Sequence, residues 1–334
     1  ASQAATTPTS DSLVSRADGH LEAINLNMGD ANPFYRDGTY YIYYLQNTGY
    51  HPWHLAKTTN LVDVSFSTMV LPASGDASKP DQWTGSGSVF KDNNSKFHLF
   101  YTGHNENISP VERVMHAQAS DATLAKWAPL SSESFSGNNG YSTTDFRDPA
   151  ISWNASEQKY WMLITSRYAG KAAIGLYKST NLSSWTASAP LYTEDSPLNL
   201  EVSDYFEINQ TPFIVYSDQR DESRQVKYLT RTNNIWGKPA SDALDGKSFY
   251  AARTAGDTNE RLLFGWVPHT DGRQDGAWPM WGGDIMIHQL NKNASVEIRL
   301  SLPQRIKNAI TNPVAATIAW SDTGLSGNAE NIFL

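Results

Sequence analysis

Five short runs of aromatic and β-branched residues recur along the chain. They are GTYYIYYLQ from Gly38, SKFHLFYTG from Ser95, QKYWMLITS from Gln158, QTPFIVYSD from Gln210 and ERLLFGWVP from Glu260, with starts 57, 63, 52 and 50 residues apart. Each has strand length and strand composition, and most follow a polar, turn-like cluster such as RDG, DNNS or NASEQ. A partner run lies just upstream of each: GDANPFY at Gly29, GSGSVF at Gly85, FRDPAI at Phe146, EVSDYFEI at Glu201 and KSFYAART at Lys247. Downstream of the first four comes a third element, HLAKTTNL, MHAQASDATLAKW, GLYKSTNLSSW or VKYLTRTNNIW. With a fourth strand before the next unit, this repeat of roughly 50 residues is the pattern of a β-propeller blade. No convincing amphipathic helical period interrupts it.

The expectation is therefore all-β: a five-bladed β-propeller over residues 25–303. Residues 1–24 read as an N-terminal extension, and 304–334 as a linker or at most the start of a C-terminal β-sandwich. A β-sandwich is the competing all-β arrangement, but the repeated order of motifs favours the propeller.

Composition narrows the function. The 334 residues are 40% hydrophobic, enough for a large core, and carry a net charge of −8 with no Lys/Arg run. Nucleic acid is thus not an expected partner. No apolar stretch approaches the roughly 20 residues of a membrane-spanning helix, so no membrane partner is expected, and nothing specifies an oligomeric state. Aromatic residues reach 12%, with 11 Trp and 16 Tyr, which suits core packing and sugar stacking alike. Cysteine is absent and says nothing about compartment. Sequons begin at Asn93, Asn107, Asn154, Asn181, Asn209 and Asn293. Together with the Ser/Thr-rich opening ASQAATTPTSDS, read as a processed N-terminus, they predict a secreted glycoprotein.

The first strand of each propeller blade lines the central channel. Those strands carry Asp30, Asp148 and Glu201, read as equivalent positions of three repeats. A lone carboxylate buried in a channel costs several kcal/mol, and a cluster of them raises at least one pKa. Carboxylates paired beside aromatic rings point to glycoside hydrolysis, in which one protonates the leaving oxygen and another attacks the anomeric carbon or activates water.

At these residues the sequence resembles the fructan- and sucrose-cleaving enzymes of glycoside hydrolase family 32. NMGDANPF at 27–34 resembles the family's WMNDPNG segment, SGS at 86–88 its FSGS, FRDP at 146–149 its RDP, and EVSDYF at 201–206 its ECPDLF. HPWH at 51–54, FYAA at 249–252 and WGGDIMIHQL at 281–290 resemble further segments, so the likeness runs from about 25 to 303. The order and spacing of these motifs carry it more than any single one. Departures are Ala31 after Asp30, Val202 in place of a Cys, Val64 where Trp is common, and Gln46 one residue late.

The resemblance implies retaining cleavage of a β-fructofuranoside in an oligo- or polysaccharide. Asp30 is then the nucleophile, Glu201 the acid/base and Asp148 the stabiliser of the transition state. Arg147 is expected to help hold ring hydroxyls, with Ser86 and Ser88 reaching others. Trp53 and Trp281 are candidate walls, for which core packing is the competing account. His51 and His54 are candidate polar pocket residues. Tyr250 is a candidate beside the acid/base, and Asp204 tunes Glu201 or binds a hydroxyl. No cofactor and no metal site are expected. Two alternatives stay open: an inverting arabinan- or xylan-active propeller, and a catalytically silent sugar-binding propeller.

Overall fold

The computed structural model describes residues 20–21, 27–220, 224–274 and 276–309. Most of the flanking segments expected at 1–24 and 304–334 lie outside the described residues.

Each aromatic run is a strand reached by a tight turn from its upstream partner. β1 (His20–Leu21) precedes a first group, β2 (Met28–Arg36), β3 (Thr39–Gln46), β4 (Trp53–Thr58) and β5 (Val64–Leu71). The second group is β6 (Trp83–Lys91), β7 (Phe97–His104), β8 (Glu112–Ala119) and β9 (Trp127–Pro129). The third is β10 (Tyr141–Asn154), β11 (Lys159–Tyr168), β12 (Lys171–Ser179) and β13 (Thr186–Glu194). The fourth is β14 (Leu200–Ile208), β15 (Thr211–Asp218), β16 (Gln225–Thr232) and β17 (Ile235–Gly237), with β18 (Ala243–Leu244) beside β16. The last is β19 (Tyr250–Gly256), β20 (Arg261–Thr270), β21 (Pro279–Lys292) and β22 (Ile298–Ser301). Among the described residues, helix is confined to short 3-10 turns and α1 (Gln304–Ala309).

The turns have local causes. Asp37 and Gly38 join β2 to β3 with φ of 49° and 83°, and Asn209 and Gln210 join β14 to β15 with 49° and 60°. Two successive left-handed residues make the hairpin turn whose twist matches that of paired strands. The last inner strand begins at Tyr250, three residues beyond the Lys247 start of its sequence run, because Phe249 N–H closes a turn onto the Gly246 carbonyl.

Among the described residues all ladders are antiparallel, and hydrogen bonding sorts the strands into four sheets. The first and last groups merge into one nine-stranded sheet, joined by the pairing of Met28 with Gly283. The second strand of each group is buried on both faces, as in β3 and β15. That is why these runs read as continuously apolar instead of alternating. Among the described residues, five clusters of buried side chains lie between successive groups. Tyr43, Trp53, Leu99 and Tyr101 fill one such layer, and Leu163, Ile174, Ile214 and Leu229 another. The innermost strands abut in a circuit: β2 on β6, β6 on β10, β10 on β14, β14 on β19, and β19 on β2.

Candidate active site

Four inner strands break register at corresponding places. Pairing skips from Gly29 to Asn32 in β2, Arg147 to Ala150 in β10, Glu201 to Asp204 in β14 and Tyr250 to Arg253 in β19. Just after each break sits a residue with left-handed φ: Asp30 at 42°, Asp148 at 61°, Val202 at 52° and Ala251 at 50°. Such bulges re-aim side chains, and they are costly for residues other than glycine. They also correct the repeat reading of the sequence. Asp30 and Asp148 share a position, with Val202 and Ala251. Glu201 stands one residue earlier, level with Arg147 and Tyr250.

All three carboxylates border one cavity of about 810 Å³. Asp30 Oδ2 accepts from Ser86 Oγ at 2.7 Å, and Oδ1 accepts from the Trp266 indole N–H at 3.0 Å. Burial, with repulsion from Asp148 and Glu201, pushes its pKa up to about 6, against the lowering pull of those two donors. Asp148 Oδ2 accepts from Thr165 Oγ1 at 2.7 Å and from Val202 N–H at 3.0 Å. Among the described residues its Oδ1 takes no hydrogen bond, and it is not sealed from the cavity. Burial raises the Asp148 carboxyl too; Arg147 and Arg253 oppose that rise, and Glu201 adds to it.

Glu201 is clamped. Its Oε1 accepts from Arg147 Nη2 at 2.9 Å and Nε at 3.3 Å, and its Oε2 accepts from Tyr250 O–H at 2.7 Å. Arg147 is anchored behind by Glu112, whose Oε2 lies 3.1 Å from Nη1. Burial acts to raise the Glu112 pKa, but His104, Arg147 and the Phe146 N–H outweigh it and hold this carboxyl below the usual carboxylate range. The Arg224 guanidinium lies over the Tyr250 ring, 3.6 Å from its centre.

The model of the glycosyl hydrolases family 32 N-terminal domain matches residues 20–288, a span containing all three carboxylates. The chain belongs to family 32. It is 26% identical over 316 residues to the β-fructofuranosidase insoluble isoenzyme 2 of Daucus carota, covering 82% of this chain and 52% of that one. It is 24% identical over 307 residues to the fructan 6-exohydrolase of Beta vulgaris, covering 79% and 50%. The chain thus spans about half the length of the curated relatives it matches. Fructan 1-exohydrolase IIa of Cichorium intybus superposes with a TM-score of 0.71 at 17% identity, over 88% of this chain and 62% of that one. The fold is accordingly the β-propeller of family 32, nearly devoid of helix.

In this family 32 chain the cavity gathers Asp30, Asp148, Glu201, Arg147, Ser86, Tyr250, His51 and Trp281. His51 stacks on Trp281 with ring centres 4.3 Å apart, and burial holds its pKa down. Arg147 was expected to hold sugar hydroxyls; its guanidinium is instead engaged by Glu201, Glu112 and Asp145. Four expected residues lie elsewhere. Trp53 is fully buried in the layer between the first two groups, where its indole N–H meets the Gly85 carbonyl. Ser88, beyond a register shift between Gly85 and Gly87 in β6, and Asp204, beyond the bulge of β14, line a different cavity. Asp204 is occupied by the Thr254 N–H and O–H at 2.8 and 2.7 Å. His54 stacks on Tyr44, also away from the site.

Several lining residues escaped the sequence reading: Trp266, Glu112, His104, Arg224, Trp83 and Gln219. Trp266 and Glu112 sit on second and third strands, whose runs read as buried packing. Only the contacts made across groups bring them to the channel.

Proposed function

We propose that this chain is a retaining glycoside hydrolase acting on β-fructofuranosidic bonds of sucrose or fructans. One observation carries the reading: two carboxylates with opposite surroundings share a cavity, Asp30 fixed through both oxygens and Glu201 clamped against a hydroxyl. Glu201 gives a proton to the glycosidic oxygen while Asp30 attacks the anomeric carbon and the leaving alcohol departs. Water then gives its proton to Glu201 and its oxygen to that carbon, releasing Asp30. An acceptor alcohol in place of water gives transfructosylation. Tyr250 suits this exchange, because a hydroxyl donates to a carboxylate and accepts from a carboxylic acid. Asp148, through its free oxygen, binds ring hydroxyls as charge develops at the anomeric centre.

We read the five strand groups as five blades and residues 25–303 as the catalytic unit. Secretion and glycosylation fit the placement of the sequons: Asn93, Asn107, Asn181 and Asn209 are exposed, and Asn154 and Asn293 are half-buried. No helix among the described residues is long and apolar enough to cross a membrane. The test is to incubate the protein with sucrose, inulin, levan, arabinan and xylan and identify the sugars released. Fructose from at least one of the first three is expected, falling by on the order of 10³-fold or more in Asp30→Asn and, for poor leaving groups, in Glu201→Gln. Release of arabinose or xylose, or near-normal turnover in Asp30→Asn, overturns the assignment.

A further inference from the structure

A second cavity, of about 190 Å³, lies at the far end of the inner strands. Its lining follows that of the Asp30 cavity along each strand: Asn32 after Asp30, Ser88 after Ser86, Ile151 after Asp148, Asp204 after Glu201, Arg253 after Tyr250. The two cavities share no lining residue.

Its charged lining is Asp204, Arg253 and Arg261. The Oδ2 of Asp204 is taken up by Thr254. Arg253 is 2% exposed. It donates to the Ser203 and Asp148 carbonyls at 3.1 and 2.8 Å, and its buried Nε–H has no acceptor. Arg261 is half-buried and less engaged still. Among the described residues it makes no hydrogen bond and no ion pair, and its Nε–H is also buried without an acceptor. Burial lowers its pKa although Asp204, Asp257 and Glu207 pull the other way from a distance. Ser88 accepts the Ile151 N–H at 3.2 Å, which leaves its own hydroxyl proton free.

A buried guanidinium with no carboxylate in contact is costly, and the ordinary remedy is a counter-ion. Here two guanidiniums line the cavity with a single carboxylate, Asp204, one oxygen of which is taken by Thr254. The volume exceeds what a halide fills, and the planar fork of arginine matches the edge of a tetrahedral oxyanion. We infer that this cavity binds a small tetrahedral oxyanion of the phosphate or sulfate type. Arg261 and the Ser88 hydroxyl contact it, and Arg253 supplies a second positive charge behind. The site is separate from the sugar chemistry and does not depend on it.

Thermal unfolding of the intact protein in rising sodium phosphate, with ionic strength held constant by chloride, reads the site out. A saturable rise in Tm is expected for the parent and a loss of that rise in Arg261→Gln. If Arg261→Gln does not fold, Ser88→Ala serves, with its half-saturation moved to higher phosphate. Selenate soaked into crystals should give an anomalous peak between Arg261 and Ser88, and sulfate competition then compares the two oxyanions. No phosphate effect on the parent, an undiminished effect in the variant, or a selenate peak confined to the Asp30 cavity overturns the inference.

Discussion

Asp30 pays for its position in stability. Its folded pKa is about 6 against an ordinary 3.8, chiefly through burial. The folded state therefore binds the proton more tightly than the unfolded one. Any stability tied to that proton is intact below about pH 4 and is lost as pH rises through 6. A shift of this size corresponds to about 3 kcal/mol above pH 7. Asp30→Asn removes the titration, so its stability relative to the parent should climb between pH 4 and 7 and level off above. Denaturant unfolding at pH 3.5 and 7.5 measures this; equal differences at the two pH values would mean that Asp30 is ionised without penalty. The carboxylates themselves were legible in the sequence because a charged residue in an inner strand has few structural uses. Their partners were not. Trp266 lies 236 residues from Asp30, and Glu112 lies 35 from Arg147; nothing local marks either as a neighbour.

The strands were legible for a plain reason: the second strand of each group is covered on both faces, and its apolar run stands out. The bulges were not, because no residue pattern announces that pairing will skip after Arg147 or Glu201. Glu201 is the last paired residue before its bulge, whereas the two aspartates sit inside theirs, and Asp204 lies beyond. Gly29, beside the bulge of β2, has a direct role. A Cβ there would come within 2.4 Å of the Trp281 ring, so the missing side chain is what lets that indole lie across the strand next to Asp30. Gly29→Ala should displace Trp281, raise KM severalfold with the fold retained, and alter tryptophan fluorescence. Unchanged KM and emission would show that the ring is placed by other contacts.

The first and last strand groups are joined without a covalent link. β1 pairs with β21 through His20 with Met286 and Leu21 with Ile285, and Met28 pairs with Gly283. Asn27 and Asn47 add side-chain bonds to the Trp281 carbonyl at 3.4 and 3.1 Å. A chain starting at Asn27 should therefore unfold about 2–4 °C below one starting at Gly19, the cost of about 1 kcal/mol of edge pairing. Coincident melting curves would assign β1 no share in closure. The other end of the axis has its own consequence. Arg253, bonded to the Asp148 and Ser203 carbonyls, lines the smaller cavity only, and the two cavities share no lining residue. The space beside Asp30 is thus a recess distinct from the one at the far end of the strands. On the proposed function, a fructan is not threaded from one to the other and would offer a terminus to the recess. On that reading each released sugar would leave by the mouth it entered, and turnover would be exposed to traffic at the entrance as well as to the chemistry at its end.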